Sequence, residues 1–377
     1  MNKLIYITYQ VFPNIKANTL QTVRMLEHFV INNIDTELIF PDRDKSRLKK
    51  ENIFDFYDVD NKFLISKHKH FLPFGRFGWL NNSFSFLISS FLWSMYIVNK
   101  TMRKVENDTT LMTRTHWILF FLAKYKNNII YECHKFSKID KFVFNKISDT
   151  KNIIVIFTNK ELMNAFDLSK NIKNNSIVLE SSFEEKYFEN NQNPKLNNSV
   201  IFAGNLIRFE QERNLNFLLE AFKDKRLDNY KLKIIGGPDY IAKKIKRDNL
   251  SKNIEILGRL SHKNTIKEIQ KSEIGILINS PDKHSKLHTS PIKYFEYIRG
   301  GLKVLAVDFS AHKQLPSFNN LYFYKHDDRE DFIKNLINTG KNKFISSNEI
   351  VNYSYKSRVN KLLNHIARLE GLDPPTL

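Results

Sequence analysis

The most informative segment of the chain is HTSPIKYFEYIRGGLKVLAVD (288–308). Ser290 and Pro291 read as a helix start, because serine caps free backbone N–H groups and proline is tolerated at the first helical position. Lys293 and Glu296 stand three apart and so share a helix face. Gly300 and Gly301 end the helix, and LKVLAVD (302–308) follows as a buried strand. The helix opens just beyond a strand ending at Ser280, so its unpaired N–H groups and dipole suit a diphosphate. Glu296, a turn or two further in, is placed to accept hydrogen bonds from ribose hydroxyls.

The same alternation fills the rest of the second half. SVIFAG (199–204), YKLKIIGG (230–237), NIEILGRL (253–260), EIGILINS (273–280) and NLYFYKH (320–326) read as strands, separated by amphipathic runs such as RNLNFLLEAF (213–222). KLIYITY, a helix from about Thr19 to Ile31, TELIFP (36–41), TTLMTR (109–114), NNIIYECH (127–134) and NIIVIFT (152–158) repeat the pattern in the first half. Strands alternating with helices predict α/β architecture, with parallel sheets covered on both faces. The polar run ENNQNPKLNNS (189–199) reads as a linker. The expected organisation is a Rossmann-like domain over 1–190, a second over 197–350, and a closing helix within 351–377 that returns to the first.

A length of 377 residues suits two such domains. The single cysteine, Cys133, excludes an internal disulfide framework and a thiolate zinc site. Lysine and arginine number 59 against 40 acidic residues, a net charge of +19. That excess implies an anionic partner, or else a lysine-rich surface spread along the chain. No helix-turn-helix, zinc or aromatic-basic sheet signature supports nucleic acid as that partner. MNKLIYITYQVF reads as a first strand and not as a signal peptide. The apolar-rich run Phe84 to Val98 is punctuated by serines and falls short of the roughly 20 residues that span a bilayer. The expected location is cytoplasmic, with peripheral attachment to the inner membrane face as an option. That option draws on the aromatic loop FLPFGRFGW (71–79), the 84–98 helix and the basic charge.

SPIKYFEYIRGGLKVLAVD resembles the donor-binding signature of glycosyltransferase family 4, in the subgroup reading Ser-Pro-x-Lys-x-Phe-Glu-Tyr. FAGNLIRFEQERNLNFLLEAF (202–222) resembles that family's glycine-turn segment. KIIGGPD (233–239) and IEILGRL (254–260) resemble its next two strands with their base-facing turns. FPNIKANTLQTVRMLEHF (12–29), IIYECHKF (129–136) and YSYKSRVNKLLNHI (353–366) are similar to its first loop and helix, its Glu-x-His strand and its closing helix. The resemblance implies a GT-B fold, two Rossmann-like domains facing across a cleft, and retaining transfer from a nucleotide-diphosphate sugar.

Carried over residue by residue, the resemblance puts the donor at Gly204, Arg208, Arg213, Gly237, Arg259, Leu260, His288, Thr289, Ser290, Pro291, Lys293 and Glu296. It makes His134, Arg208 and Arg213 the catalytic set, and Ala17, Asn18 and Thr19 an acceptor-side loop. His288 departs from the family, which commonly has a second glutamate there; Asn205 replaces a common arginine. The cations and the helix start at Ser290 supply the charge that a leaving diphosphate needs, so no metal or other cofactor is expected. Asp42-Arg43-Asp44 and Asp58-Val59-Asp60 match a metal-binding Asp-x-Asp pattern but are expected in solvated polar connections. The expected acceptor is a glycan or lipid-linked chain, as in lipopolysaccharide or capsule assembly in bacteria. The rival readings are a sugar-nucleotide epimerase on the same scaffold and a non-catalytic subunit of a polysaccharide assembly complex.

Overall fold

A computed structural model describes residues 1–43, 51–70, 83–189, 194–208, 211–248 and 251–371. The chain divides into two compact units, Met1–Leu179 with Arg358–Leu377, and Glu180–Ser357.

The first unit runs β1 (Lys3–Ile7), α1 (Ala17–Ile31), β2 (Asp35–Asp42), α2 (Ile53–Tyr57), β3 (Leu64–Lys69), α3 (Ser83–Met102), β4 (Thr110–Thr113), α4 (His116–Leu122), β5 (Ile129–Cys133), α5 (Lys138–Lys146), β6 (Ile153–Phe157), α6 (Lys160–Asn164), α7 (Lys170–Asn174) and β7 (Ser176–Val178). Its seven strands are all parallel, in the order β3-β2-β1-β4-β5-β6-β7. β4, β5 and β6 are buried throughout, and β6, IIVIF, reads as an unbroken apolar run for that reason. α3, α4 and α5 pack Trp93, Ile97, Ile118, Leu119, Val143 and Phe144 onto one face of this sheet.

The second unit runs β8 (Ser199–Ala203), the two-stranded hairpin β9 (Ile207–Arg208) and β10 (Gln211–Glu212), α8 (Leu215–Ala221), β11 (Lys231–Ile235), α9 (Asp239–Asp248), β12 (Ile254–Gly258), α10 (His262–Lys271), β13 (Ile274–Leu277), α11 (Ile292–Arg299), β14 (Lys303–Val307), α12 (Ser310–Lys313), β15 (Leu321–Tyr324) and α13 (Arg329–Lys341). Its main sheet is parallel in the order β12-β11-β8-β13-β14-β15, with one apolar cluster on each face. α14 (Tyr355–Leu369) starts in this unit and carries the chain back into the first.

Both sheets share one logic. The chain winds outward from a first strand, then returns to wind the other way. The reversal falls at β1/β4 in one unit and β8/β13 in the other, and ligands bind at the C-terminal ends of strands at such switch points.

The structure corrects several expectations. Asp42 is not in a polar connection: it ends β2, and its carboxylate lies 3.3 Å from Lys67 Nζ. Asp58 and Asp60, by contrast, are exposed in the connection after α2, as expected, with Asp58 its C-cap residue at φ 55°. α3 is longer than the 84–98 run, at 20 residues, although no described helix is long and apolar enough to cross a membrane. The 71–79 loop lies outside the described residues, as does Asp44.

Candidate functional site

In the second unit, predicted donor residues gather at the C-terminal ends of β8, β11 and β12. The three strand ends are tied together by backbone hydrogen bonds: Gly204 N–H to Ile235 O (2.9 Å), Gly236 N–H to Gly258 O and Leu206 N–H to Gly237 O (both 2.8 Å). At Gly236, φ is 156°, and a Cβ would sit 1.8 Å from the Gly204 carbonyl oxygen. Two turns meet there backbone to backbone, and only glycine fits. At Gly204 a Cβ would come within 2.8 Å of Arg213 Nη1, and at Gly237 within 2.5 Å of Arg259 Nη2. The glycines thus bring a guanidinium against each of two turns at adjacent strand ends. Planar guanidinium groups suit bidentate recognition of phosphate oxygens. Arg259 is exposed and Leu260 half-buried. The Arg208 side chain lies outside the described residues.

α11 carries the other part. Tyr297 on its buried face accepts a hydrogen bond from Ala203 N–H at 2.8 Å, fixing the helix against β8. Glu296 is 1% exposed, a depth at which a carboxylate needs partners. His262 Nε2 lies 2.7 Å from its Oε1, and Lys293 Nζ bonds Oε2. Burial alone would raise the carboxyl pKa, but Lys293 and then His262 outweigh it and hold it down at about 2. The group is therefore an ion at neutral pH, at the site where ribose binding was expected. His262 was not among the expected residues. It is the first residue of α10, directly after the capping Ser261, and its Nδ1 is buried with no hydrogen-bond partner among the described residues.

The helix start differs from the expectation. α11 begins at Ile292 with Pro291 as its cap residue, and no side chain caps it. Ser290 is engaged elsewhere: its Oγ accepts from Ser181 N–H (2.9 Å), and its carbonyl accepts from Ser181 Oγ (2.5 Å). The first N–H groups of α11 therefore lack the serine cap. His288 ends a π-helical turn, His284–His288, and is buried, as is Thr289.

In the first unit, a second cluster surrounds Glu132 in β5. Its carboxylate, 1% exposed, accepts from Tyr6 OH (3.2 Å, β1) and from Arg358 Nη2 (3.3 Å, α14). His134 Nε2 lies 3.8 Å from Oε1, an electrostatic neighbour and not a hydrogen bond. Burial pushes the Glu132 pKa up, but His134, Arg114 and Arg358 overcome it and leave the carboxyl well below the usual range. His134 itself is pushed down to about 4, by burial first and then by Arg114, against the pull of Glu132. It is a neutral imidazole at pH 7, and its Nε2 is buried without a hydrogen-bond partner among the described residues.

The expected acceptor-side residues open α1. Ala17 is its first residue, Thr19 Oγ1 donates to Asn14 O (2.9 Å), and Asn18 O accepts from Arg114 Nη1 (3.0 Å). Glu132, Arg114, Tyr6 and Arg358 were not predicted. Only the Glu-x-His spacing hinted at Glu132, and Arg358 reaches it across 226 positions of sequence. No group of three or more His, Cys, Asp or Glu side chains among the described residues is arranged to hold a metal ion.

Two parallel-sheet Rossmann-like units, of seven and six strands, define a GT-B fold. Residues 183–321 match the family described as "Glycosyl transferases group 1". The chain is similar in structure to E. coli trehalose-6-phosphate synthase bound with UDP-2-fluoro glucose (TM-score 0.67, 10% identity, 99% of this chain and 100% of that one). It is similar also to Anabaena Alr3699/HepE in complex with UDP and glucose (0.67, 12%, 97% and 100%). A third similar structure is a point mutant of S. aureus TarM with fondaparinux, α-GlcNAc-glycerol and UDP (0.67, 12%, 97% and 99%). No curated protein matches the chain by sequence. The group 1 domain and the fold together support a GT-B glycosyltransferase.

Proposed function

We propose that the protein is a retaining, metal-independent glycosyltransferase. It moves a sugar from a nucleotide-diphosphate donor to a glycan or lipid-linked acceptor, in peripheral contact with a membrane. The observation that carries the donor half is Glu296, a buried carboxylate held ionised by Lys293 and His262 beside strand-end glycines that admit Arg213 and Arg259. A ribose presents two hydroxyl donors to such a carboxylate, and a diphosphate presents anionic oxygens to the guanidinium groups. The solved structures named above that bind UDP favour a uridine nucleotide.

In the reaction the bond from the anomeric carbon to the diphosphate oxygen breaks, and one from the acceptor oxygen forms on the same face. The acceptor proton passes to the leaving phosphate. Arg208, Arg213, Lys293 and the uncapped first turn of α11 neutralise charge as it develops there. His134, neutral at working pH, meets the transferred sugar as a hydrogen-bonding group. Donor turnover should continue in excess chelator and give a product with the α configuration of its donor. Glu296→Ala should raise donor KM, and Arg213→Ala should lower kcat. Activity abolished by chelator and restored only by a divalent cation would contradict the metal-independent reading. Near-normal kinetics in both variants would contradict the site.

A further inference from the structure

α3 is amphipathic in the wrong sense for water. Its packed side holds Ser89, Ser90, Ser94 and Thr101 beside Trp93, Ile97 and Val98. Its outer side shows Phe84, Ile88, Leu92 and Met95, which are 69%, 42%, 37% and 40% exposed. Their spacing of four, four and three residues sets them in one line along the helix.

The apolar surface continues sideways. Ring contacts run from Phe91 on α3 to Trp117 (5.0 Å) and Phe121 (5.2 Å) on α4. They pass on from Phe120 to Phe142 on α5 (6.4 Å), which is 46% exposed. α3, α4 and α5 lie side by side on one face of the sheet.

The exposed charges borne by the three helices themselves are all basic, with Glu106, Asp108 and Asp149 lying beyond the helix ends. Neither residues 83–105 nor residues 109–131 contain an aspartate or glutamate. Asp140, the acid of α5, is buried against the Tyr131 and Ser137 hydroxyls. Lys100, Lys124 and Lys146 stand at the C-terminal ends of α3, α4 and α5. Their ammonium groups lie 5.7, 5.1 and 5.9 Å from the rings of Tyr96, Tyr125 and Phe142. Lysine stems laid along aromatic rings, with cations at the edge of an apolar face, suit the boundary between hydrocarbon and headgroups.

We propose that the outer faces of α3, α4 and α5 form a docking surface for an anionic lipid bilayer. The proposal rests on the peripheral-membrane part of the reading above and is independent of its donor chemistry. A second copy of the chain fits less well, because the three helices bear no exposed acid to meet the partner's lysines in either orientation of a symmetric contact. A bilayer with anionic headgroups covers the apolar line and neutralises the rim together.

The test is vesicle flotation of the full chain, with UDP binding measured on the same samples. The wild type should float with vesicles of phosphatidylcholine and phosphatidylglycerol and stay behind with phosphatidylcholine alone. Ile88→Asp with Met95→Asp should abolish flotation. Lys124→Ala and Lys146→Ala should each weaken it about fivefold. These side chains are exposed, and thermal melting of each variant checks that it is folded. Failure of the folded wild type to float on anionic vesicles, or flotation untouched by the aspartates, overturns the proposal. A dimer in light scattering that Ile88→Asp splits also overturns it and gives the face to a second copy. Lost flotation with UDP binding intact leaves the donor reading standing, and the reverse result leaves the docking surface standing.

Discussion

Replacing Glu296 by glutamine removes one charge from a site where three side chains meet, and its effect on stability can be worked out. The carboxyl ionises near 4.5 when solvated and near 2 here. Because the folded value is depressed, ionisation stabilises the fold above pH 4.5, and that stability is lost as pH falls through 2. The difference is worth about 3 kcal/mol at pH 7. Lys293 and His262 are 25% and 18% exposed, so water takes over part of their pairing in the variant. For a unit of this size about 3 kcal/mol corresponds to a melting temperature lower by about 6–12 °C. The gap between wild type and Glu296→Gln should fall to about half by pH ~3. Scanning calorimetry of both proteins at stepped pH reads this directly. A gap that stays constant with pH, or no gap at pH 7, would refute the assignment of Glu296 as a buried ion held by Lys293 and His262.

Arg358→Met should destabilise the first unit by about 3–5 kcal/mol, since it strands the buried Glu132 charge. Adding Glu132→Gln should recover part of the loss in denaturant titrations, and strictly additive effects would contradict the pairing. Gly236→Ala should prevent the β8 and β11 turns from closing, because its methyl would sit 1.8 Å from the Gly204 oxygen. The expected result is lost UDP binding or an unfolded second unit in a melting assay; a variant that melts and binds as the wild type does would contradict this backbone approach.

Local pattern carried much of the fold. The strands of the second sheet and the alternation with helices were legible because buried parallel strands leave long apolar runs. β3 was missed for the opposite reason: at the sheet edge, LISKHK is largely exposed and polar and leaves no such run. β7 is three residues long and too short for a period to show. Contacts were legible where partners are close in sequence, as with Lys293 and Glu296. They were not where partners are distant. Ser290 looked like a cap until Ser181, 109 positions away, claimed its hydroxyl. His262 meets Glu296 across 34 positions, and nothing local to either residue announces the contact.

Calorimetric titration with UDP, GDP, ADP and CMP in EDTA, on wild type and Glu296→Ala, asks whether the second unit binds a nucleotide diphosphate through Glu296 and the strand-end arginines without a metal. One nucleoside diphosphate, UDP foremost, should bind the wild type in EDTA, and Glu296→Ala should weaken that binding by about tenfold or more. Binding of no nucleotide to the folded wild type, or equal binding to both proteins, would contradict it.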